Sequence, residues 1–300
     1  MQMIELIKNF CFQRDNLIYK ILKECSKEVW ARQKAASESA ASKVSEVTLT
    51  ENLMYKIYSY VKEKKLGDRI GLYHSKDEKT NGADIEICLK VGSNQYLCLA
   101  CQAKRLYMFD TTKNKTFNKP RYGALNHYVG GDKSKNQTDL LIKYAKRKKA
   151  IPLYLLYNYH KDEAYMKGLE DDAELYGCTL LSAYYVQDTL KASSKCFESA
   201  HGPAKPITSL SCLLFNSSLT ELQNNWGQID SAHRISFLTA REIERDGNWI
   251  KSIDSDEPFR FVATGGPELE TVRNEDIVYP HKFSPRYRIV ISPKETETDE

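Results

Sequence analysis

Two apolar runs separated by three residues constrain this chain more than any other feature. Residues 83–91 (ADIEICLKV) and 95–104 (QYLCLACQAK) each have the length and composition of a strand. Gly92, Ser93 and Asn94 lie between them, which is hairpin chemistry. With that loop Val91 faces Gln95, and every further pair follows. Asp84 then sits directly opposite Gln102, with Cβ atoms about 4.5–5.5 Å apart. Period two places Glu86 and Lys104 on that same face. Ala83, Ile85, Ile87, Leu97, Leu99 and Cys101 take the other, which reads as core. A slip of one residue would break the pairing.

The polar face carries a chemical possibility. Two carboxylates and an amide oxygen a few ångströms apart make a hard-oxygen site suited to Mg²⁺ or Mn²⁺. Such an ion lowers the pKa of bound water and neutralises charge on a phosphoryl oxygen. A lysine beside it orients that water and screens the developing charge. From spacing alone, the competing reading is a solvated, salt-bridged sheet face.

The flanking pattern is α/β. A helix is expected over about 48–64, with the stripe Leu49, Leu53, Ile57, Tyr60 and Val61 and a Thr48–Glu51 capping box. A short strand follows at 70–75. Residues 105–133 read as loop and about 134–149 as helix. IPLYLLY (151–157) is a continuous apolar run typical of a buried strand. Strand, helix and buried strand form a βαβ crossover, expected right-handed. Residues 1 to about 35 carry an apolar stripe at helical spacing. That helix packs on the body of the protein or pairs two copies of the chain. Beyond 160 the pattern indicates an acidic helix (about 162–176) and strands at 180–186, 208–215 and 286–292, with a disordered acidic end. The organisation expected is an N-terminal helical segment (1–45), a core (46–160) and an α+β C-terminal accessory region (161–300) able to bind a partner protein.

Net charge is only +4, but its distribution is uneven: between Lys104 and Lys149 thirteen Lys and Arg face three Asp. Phosphate backbones are bound through such patches. Arg105, Lys113, Lys115, Arg121, Lys146 and Arg147 are the candidate contacts, and Tyr107, Phe109, Phe117, Tyr122 and Tyr128 are interleaved for base stacking. His127 lies in the same segment. The alternative for the lysine-rich helix is a solvated surface.

Other classes are excluded or weak. No run of eighteen apolar residues exists, so no membrane helix is expected. Glu5, Asp15 and Glu24 interrupt the first thirty residues, so no cleaved leader is expected. Eight scattered cysteines then read as reduced, buried thiols in a cytoplasm. Cys98 and Cys101 fall on opposite faces of a strand and do not form a metal site. No Walker loop, GxGxxG or histidine metal spacing occurs.

NGADIEI followed by QAKRL resembles the PD-(D/E)XK, or restriction-endonuclease-like, phosphodiesterase superfamily, over roughly residues 46–158. The resemblance implies an αβββαβ core with a mixed sheet flanked by helices. Asp84 matches the superfamily aspartate, and Gln102 and Lys104 match the Gln-x-Lys variant of its second motif. The proline of the name is absent, since Ala83 precedes Asp84, and Gln102 replaces the commoner carboxylate. The resemblance also implies a metal-ligating Glu on the preceding helix. Glu46 is favoured because it extends the inward stripe of Leu49 and Leu53. Glu51 competes, and Glu78 is a weaker candidate. Gln137 shares a face with Leu141 and Tyr144, and the resemblance implies a Gln there that orients the site. The implied activity is Mg²⁺-dependent nuclease action on DNA or RNA in bacterial defence. The metal ligands would be Asp84, Gln102 and Glu46, with Lys104 positioning water and Glu86 as neighbour or further acid. The rivals are an inactive nucleic-acid binder on the same core and an adaptor protein.

Overall fold

The computed structural model describes residues 16–38, 44–75, 84–92, 94–110, 115–122, 125, 128–129, 135–161, 173–190, 202–213, 237–244, 249–251 and 285–292. The hairpin is its centre. β2 (Ile85–Gly92) and β3 (Gln95–Asp110) pair antiparallel, with Ile85 opposite Cys101 and Ile87 opposite Leu99. This is the expected register. It changes only at the turn, where Gly92 rather than Val91 faces Gln95. The irregularity between Lys90 and Gly92 absorbs the extra residue, so the far end of the hairpin stays in phase.

Around this pair lie β1 (Ile70–Ser75), β7 (Ile151–Tyr157), β8 (Cys178–Ser182), β9 (Lys205–Pro206), β10 (Trp249–Lys251) and β11 (Tyr287–Ile291). They form an open sheet of order β10-β1-β11-β2-β3-β7-β8-β9, and β4 (Lys115–Tyr122) pairs with the far part of β3. β11 runs parallel to β2 and β7 parallel to β3, and the other pairs are antiparallel, so the sheet is mixed. All seven residues of β7 are buried, as its unbroken apolar run requires.

Helices cover both faces. α1 (Asn16–Glu38) and α2 (Glu46–Glu63) pack Ile18, Ile21, Leu22, Leu49, Leu53 and Ile57 on the face of Ile85, Ile87, Leu97 and Leu99. α3 (Gln137–Lys148) and α4 (Ala183–Thr189) pack Leu141, Ala145 and Val186 on the face of Cys88, Cys98 and Ala100. From Ile18 to Val29 the apolar stripe of α1 is spent on this core, while its expected beginning at Ile4, Ile7 and Cys11 lies outside the described residues. The buried cysteines 25, 88, 98, 101 and 178 are free thiols, and Cys98 and Cys101 lie in opposite core layers. Among the described residues, no helix is long and apolar enough to cross a membrane.

Several local expectations change. α2 starts at Glu46, two residues early, because Ser45 is its cap: the Ser45 hydroxyl accepts from the Thr48 backbone N–H at 3.0 Å. The stretch 105–133 is not all loop. β3 continues to Asp110 and is paired by β4, and a small ladder joins β5 (Tyr128–Val129) to β6 (Lys135–Asn136). The expected strand at 180–186 ends at Ser182 and turns into α4. The expected strand at 208–215 is a 3₁₀ turn at Ile207–Ser209 followed by α5 (Leu210–Leu213). Short apolar runs suit helix and strand alike, and packing decided these two. Of the acidic helix, 162–172 lies outside the described residues and Ala173–Gly177 is 3₁₀. The strand at 286–292 is present as β11, inserted between β1 and β2, so the 46–160 and 161–300 stretches share one sheet.

α1 is bolted to the sheet at one point. The Ser26 hydroxyl donates to the Leu175 carbonyl at 2.7 Å and accepts from the Cys178 N–H at 2.9 Å. Gly177 permits this approach, since a Cβ there would lie 2.0 Å from the Ser26 carbonyl oxygen. Gly177→Ala should push α1 off the sheet and lower the unfolding free energy by about 1–3 kcal/mol, read from urea denaturation.

Candidate active site

Asp84 is the residue before β2, and the Ile85–Cys101 pair places it across from Gln102. Its carboxylate accepts hydrogen bonds from the Ala103 backbone N–H and the Gln102 amide, with Lys104 and Glu46 close enough to act on its charge. Burial dominates and pushes the Asp84 carboxyl up to about 7. Lys104 opposes the rise and Glu46 adds to it. Gln102 and Lys104 are themselves buried. β3 pairs with β2 up to Cys101 and with β4 from Leu106. The four residues between, 102–105, carry the site.

Glu46 reaches this point from α2. One carboxylate oxygen lies 3.8 Å from Lys104 Nζ, and the other accepts the Arg105 backbone N–H at 3.1 Å. Starting the helix at Ser45 is what brings Glu46 within reach. Glu51 instead pairs with Arg286 at 2.9 Å, and the Arg286 backbone N–H donates to the Asp84 carbonyl at 2.9 Å. Gln137 is the first residue of α3, buried, behind an Asn136 cap that accepts from the Thr138 N–H at 2.8 Å. The amide oxygens of Gln102 and Gln137 are both buried with no hydrogen-bond partner, an arrangement that costs free energy unless something accepts their lone pairs.

Two tyrosines of β7 hold the site-bearing helices, and the sequence reading missed both. Tyr154 stands beside Gln102 in the β3–β7 register, and its hydroxyl is 2.8 Å from that of Thr138, next to Gln137. Tyr157 stands beside Arg105, and its hydroxyl is 2.7 Å from that of Thr50 on α2. One strand thus sets the positions of α2 and α3 from opposite faces. The signal was present: two hydroxyl-bearing side chains in an otherwise aliphatic buried run need partners.

Glu86 does not join the site. Its carboxylate is taken by Arg288 Nε and Nη2 at 3.0 and 2.8 Å and by the Tyr144 hydroxyl at 2.7 Å. Arg288 also lies over the Trp249 ring at 4.3 Å. This buried pair ties β11 to β2. Glu86, Cys88 and Cys98 bring potential ligand atoms within 4.8 Å of one another. The guanidinium already neutralises the glutamate, and burial pushes the Cys88 thiol far up, so the cluster suits core packing rather than a cation.

The basic residues separate into two places. Arg105 adjoins the site, and its guanidinium lies 4.2 Å from the Tyr107 ring centre. Arg121 is exposed on β4, opposite Tyr107. Lys115 pairs by backbone with Asp110. Lys146 and Arg147 occupy the last turn of α3. They are nine and ten residues from Gln137, roughly 14–15 Å along the axis. There their charge complements the helix C-terminus. Tyr122 is buried and its hydroxyl donates to Asn158 Oδ1, so it is no stacking platform. Lys113, Glu78 and His127 lie outside the described residues, as do the side chains of Phe109, Phe117 and Tyr128.

The Asp84 shift has a definite sign. A carboxyl whose folded pKa is raised binds its proton more tightly in the folded chain, so its stabilising contribution is present at low pH and lost as pH rises from about 4 to about 7. Asp84→Asn should therefore be more stable than wild type above pH 7, by a margin on the order of 4 kcal/mol, and the margin should vanish near pH 4. Paired urea titrations at pH 4.5 and pH 8 without divalent ions measure this.

No curated protein and no solved structure matches this chain. Residues 18–276 match a family whose description is a family of unknown function, DUF6615, and the chain belongs to that family.

Proposed function

We propose that this protein is a metal-dependent nuclease with a restriction-endonuclease-like core, hydrolysing phosphodiester bonds of nucleic acid. The observation that carries the reading is the convergence of Asp84, Gln102, Lys104 and Glu46, with the Gln102 amide oxygen buried and without a partner. Carboxylate and amide oxygens are the donors that Mg²⁺ and Mn²⁺ take. A cation there would satisfy Gln102 and hold Asp84 ionised at neutral pH, offsetting its burial.

Asp84, Gln102 and Glu46 would hold the ion, and Gln137 would orient the group from α3. When bound, the ion would supply a more acidic water and charge neutralisation on the phosphate. Lys104, buried beside Glu46, orients the attacking water and meets charge developing on the phosphoryl oxygen. Water adds to phosphorus, the P–O bond to the leaving sugar oxygen breaks, and that oxygen takes a proton. Arg105 approaches the neighbouring phosphate. The setting that the superfamily resemblance implies is bacterial defence.

A second reading has one observation in its favour. Gln102 replaces a carboxylate, so the donor set carries one negative charge fewer and a weaker hold on a cation. On that reading the chain binds nucleic acid without cutting it. Supercoiled plasmid, single-stranded DNA and RNA incubated with Mg²⁺ or Mn²⁺ separate the two. Wild type should cut, and Asp84→Ala and Lys104→Ala should each slow cutting at least about a hundredfold. Gln102→Glu should lower the Mg²⁺ concentration needed for half-maximal rate. Equal cutting by wild type and both alanine variants would dismiss this site.

A further inference from the structure

The two acids of the candidate site are held on one edge of β3. β2 pairs that edge up to Cys101 and β4 pairs it from Leu106. Between them, side chains stand in for a strand. The Ala103 backbone N–H donates to the Asp84 carboxylate, and the Arg105 N–H donates to the Glu46 carboxylate at 3.1 Å. These amides are two residues apart, so they point the same way and lie about 6.6 Å from one another along the strand. Asp84 reaches its amide from the residue next to β2. Glu46 comes from α2, a separate element. The spacing of the two acids therefore depends on where α2 sits over the hairpin.

Two consecutive residues of α2 fix that seat. The Thr50 hydroxyl is 2.7 Å from that of Tyr157 on β7, and the Glu51 carboxylate pairs at 2.9 Å with Arg286, the residue before β11. In the sheet order β11-β2-β3-β7 these two strands flank the hairpin on either side. α2 is thus staked across the hairpin from both flanks, with Glu46 about one turn before Thr50. Arg286 holds more than the helix. Its backbone N–H donates to the Asp84 carbonyl at 2.9 Å, and its carbonyl accepts the Ser75 N–H of β1 at 2.9 Å. One residue therefore grips both acid-bearing segments: the helix of Glu46 through its guanidinium, the backbone of Asp84 through its N–H. The Glu51 and Arg286 side chains are 23% and 21% exposed. A pair as wet as this adds little to overall stability, so its effect is on position.

We propose that Arg286 is a positioning residue of this site: by gripping Glu51 it keeps Glu46 on the Arg105 amide, at the spacing from Asp84 that a shared divalent cation needs. Completion of the site then depends on the seating of the C-terminal strand β11. The cation part rests on the nuclease reading; the seating of Glu46 does not. Arginine suits the role, because its planar guanidinium holds a carboxylate in a fixed orientation where an ammonium would act as a point charge. Groups one layer out from a cation's ligands orient those ligands, and losing them weakens metal binding while the ligands themselves are intact.

The test uses the full chain. Residue-resolved amide hydrogen exchange follows Arg105 and Ala103, and electron paramagnetic resonance follows Mn²⁺ binding. Arg286→Gln and Glu51→Gln should each speed Arg105 exchange about tenfold. Ala103 should exchange as in wild type, because the backbone bond from position 286 to Asp84 survives both changes. Loss of stability alone would speed both amides. Each variant should also weaken Mn²⁺ binding about tenfold. Combining Glu51→Arg with Arg286→Glu should restore both measurements to within about threefold of wild type. Arg32→Gln, which breaks the Arg32–Glu28 pair on α1, serves as control. Both glutamine variants should melt close to wild type, and either one alone probes the same contact if the other misfolds. Arg105 exchange unchanged in both, or accelerated equally at Ala103, or not restored by the charge swap, would overturn the proposal. Such a result beside Asp84-dependent cutting would leave the nuclease standing without this role for Arg286. If wild type neither binds Mn²⁺ nor cuts, the nuclease reading falls, and selective release of the Arg105 amide still upholds the seating of Glu46 by Arg286.

Discussion

The strand-borne groups of the site, Asp84, Gln102 and Lys104, are placed relative to one cross-strand pair, Ile85 opposite Cys101. That pairing sets Asp84 beside Gln102, and through the alternation of β3 it sets Lys104 on the same side. A slip of one residue would turn these polar groups into the apolar layer under α2 and bring Cys101 out in their place. The register is held from both faces, by Ile85, Ile87, Leu97 and Leu99 below α1 and α2 and by Cys88, Cys98 and Ala100 below α3. The irregularity at Val91 takes up the mismatch of the turn where it does no harm.

Asp84 and Glu86 show how burial separates two carboxylates only two residues apart. Glu86 is met by a guanidinium and a tyrosine hydroxyl and acts as a clamp for the C-terminal strand. Asp84 has hydrogen bonds but shares Lys104 with Glu46, and its ionised form is costly enough to move its titration to neutrality. One acid is satisfied by the fold. The other stays costly to ionise, beside a Gln102 amide oxygen that is buried without a hydrogen-bond partner.

Parts of this were legible from residue order. Strict alternation over 83–91 and 95–104 with a three-residue turn leaves little freedom, so the register followed from local chemistry. Glu46 was preferred over Glu51 from the helix stripe, and the fold sets Glu46 beside Lys104 and Glu51 beside Arg286. The cap was misread, because Ser45 and Thr48 are both good capping residues and only the path of the chain chooses between them. Glu86 was grouped with Asp84 because period two cannot see Arg288, which is 202 residues away in sequence. The cluster at 146–149 was grouped with the site for a similar reason: adjacency in sequence became a separation of most of a helix length. The β3–β4 pairing beyond Lys104 was read as loop, since β4 contains Lys, Asn and Pro and lacks the alternation of a core strand.

Residue order alone therefore settled the hairpin, its two faces, the buried character of β7 and the grouping of Asp84, Gln102 and Lys104. Those depend on interactions between near neighbours, where side-chain period and turn length are sufficient. Tertiary contact decided which glutamates are available, where the basic residues stand, that β11 enters the sheet between β1 and β2, and that Tyr154 and Tyr157 hold the two helices over the site. Those depend on which distant groups meet in a low-dielectric interior, and neither periodicity nor spacing encodes that.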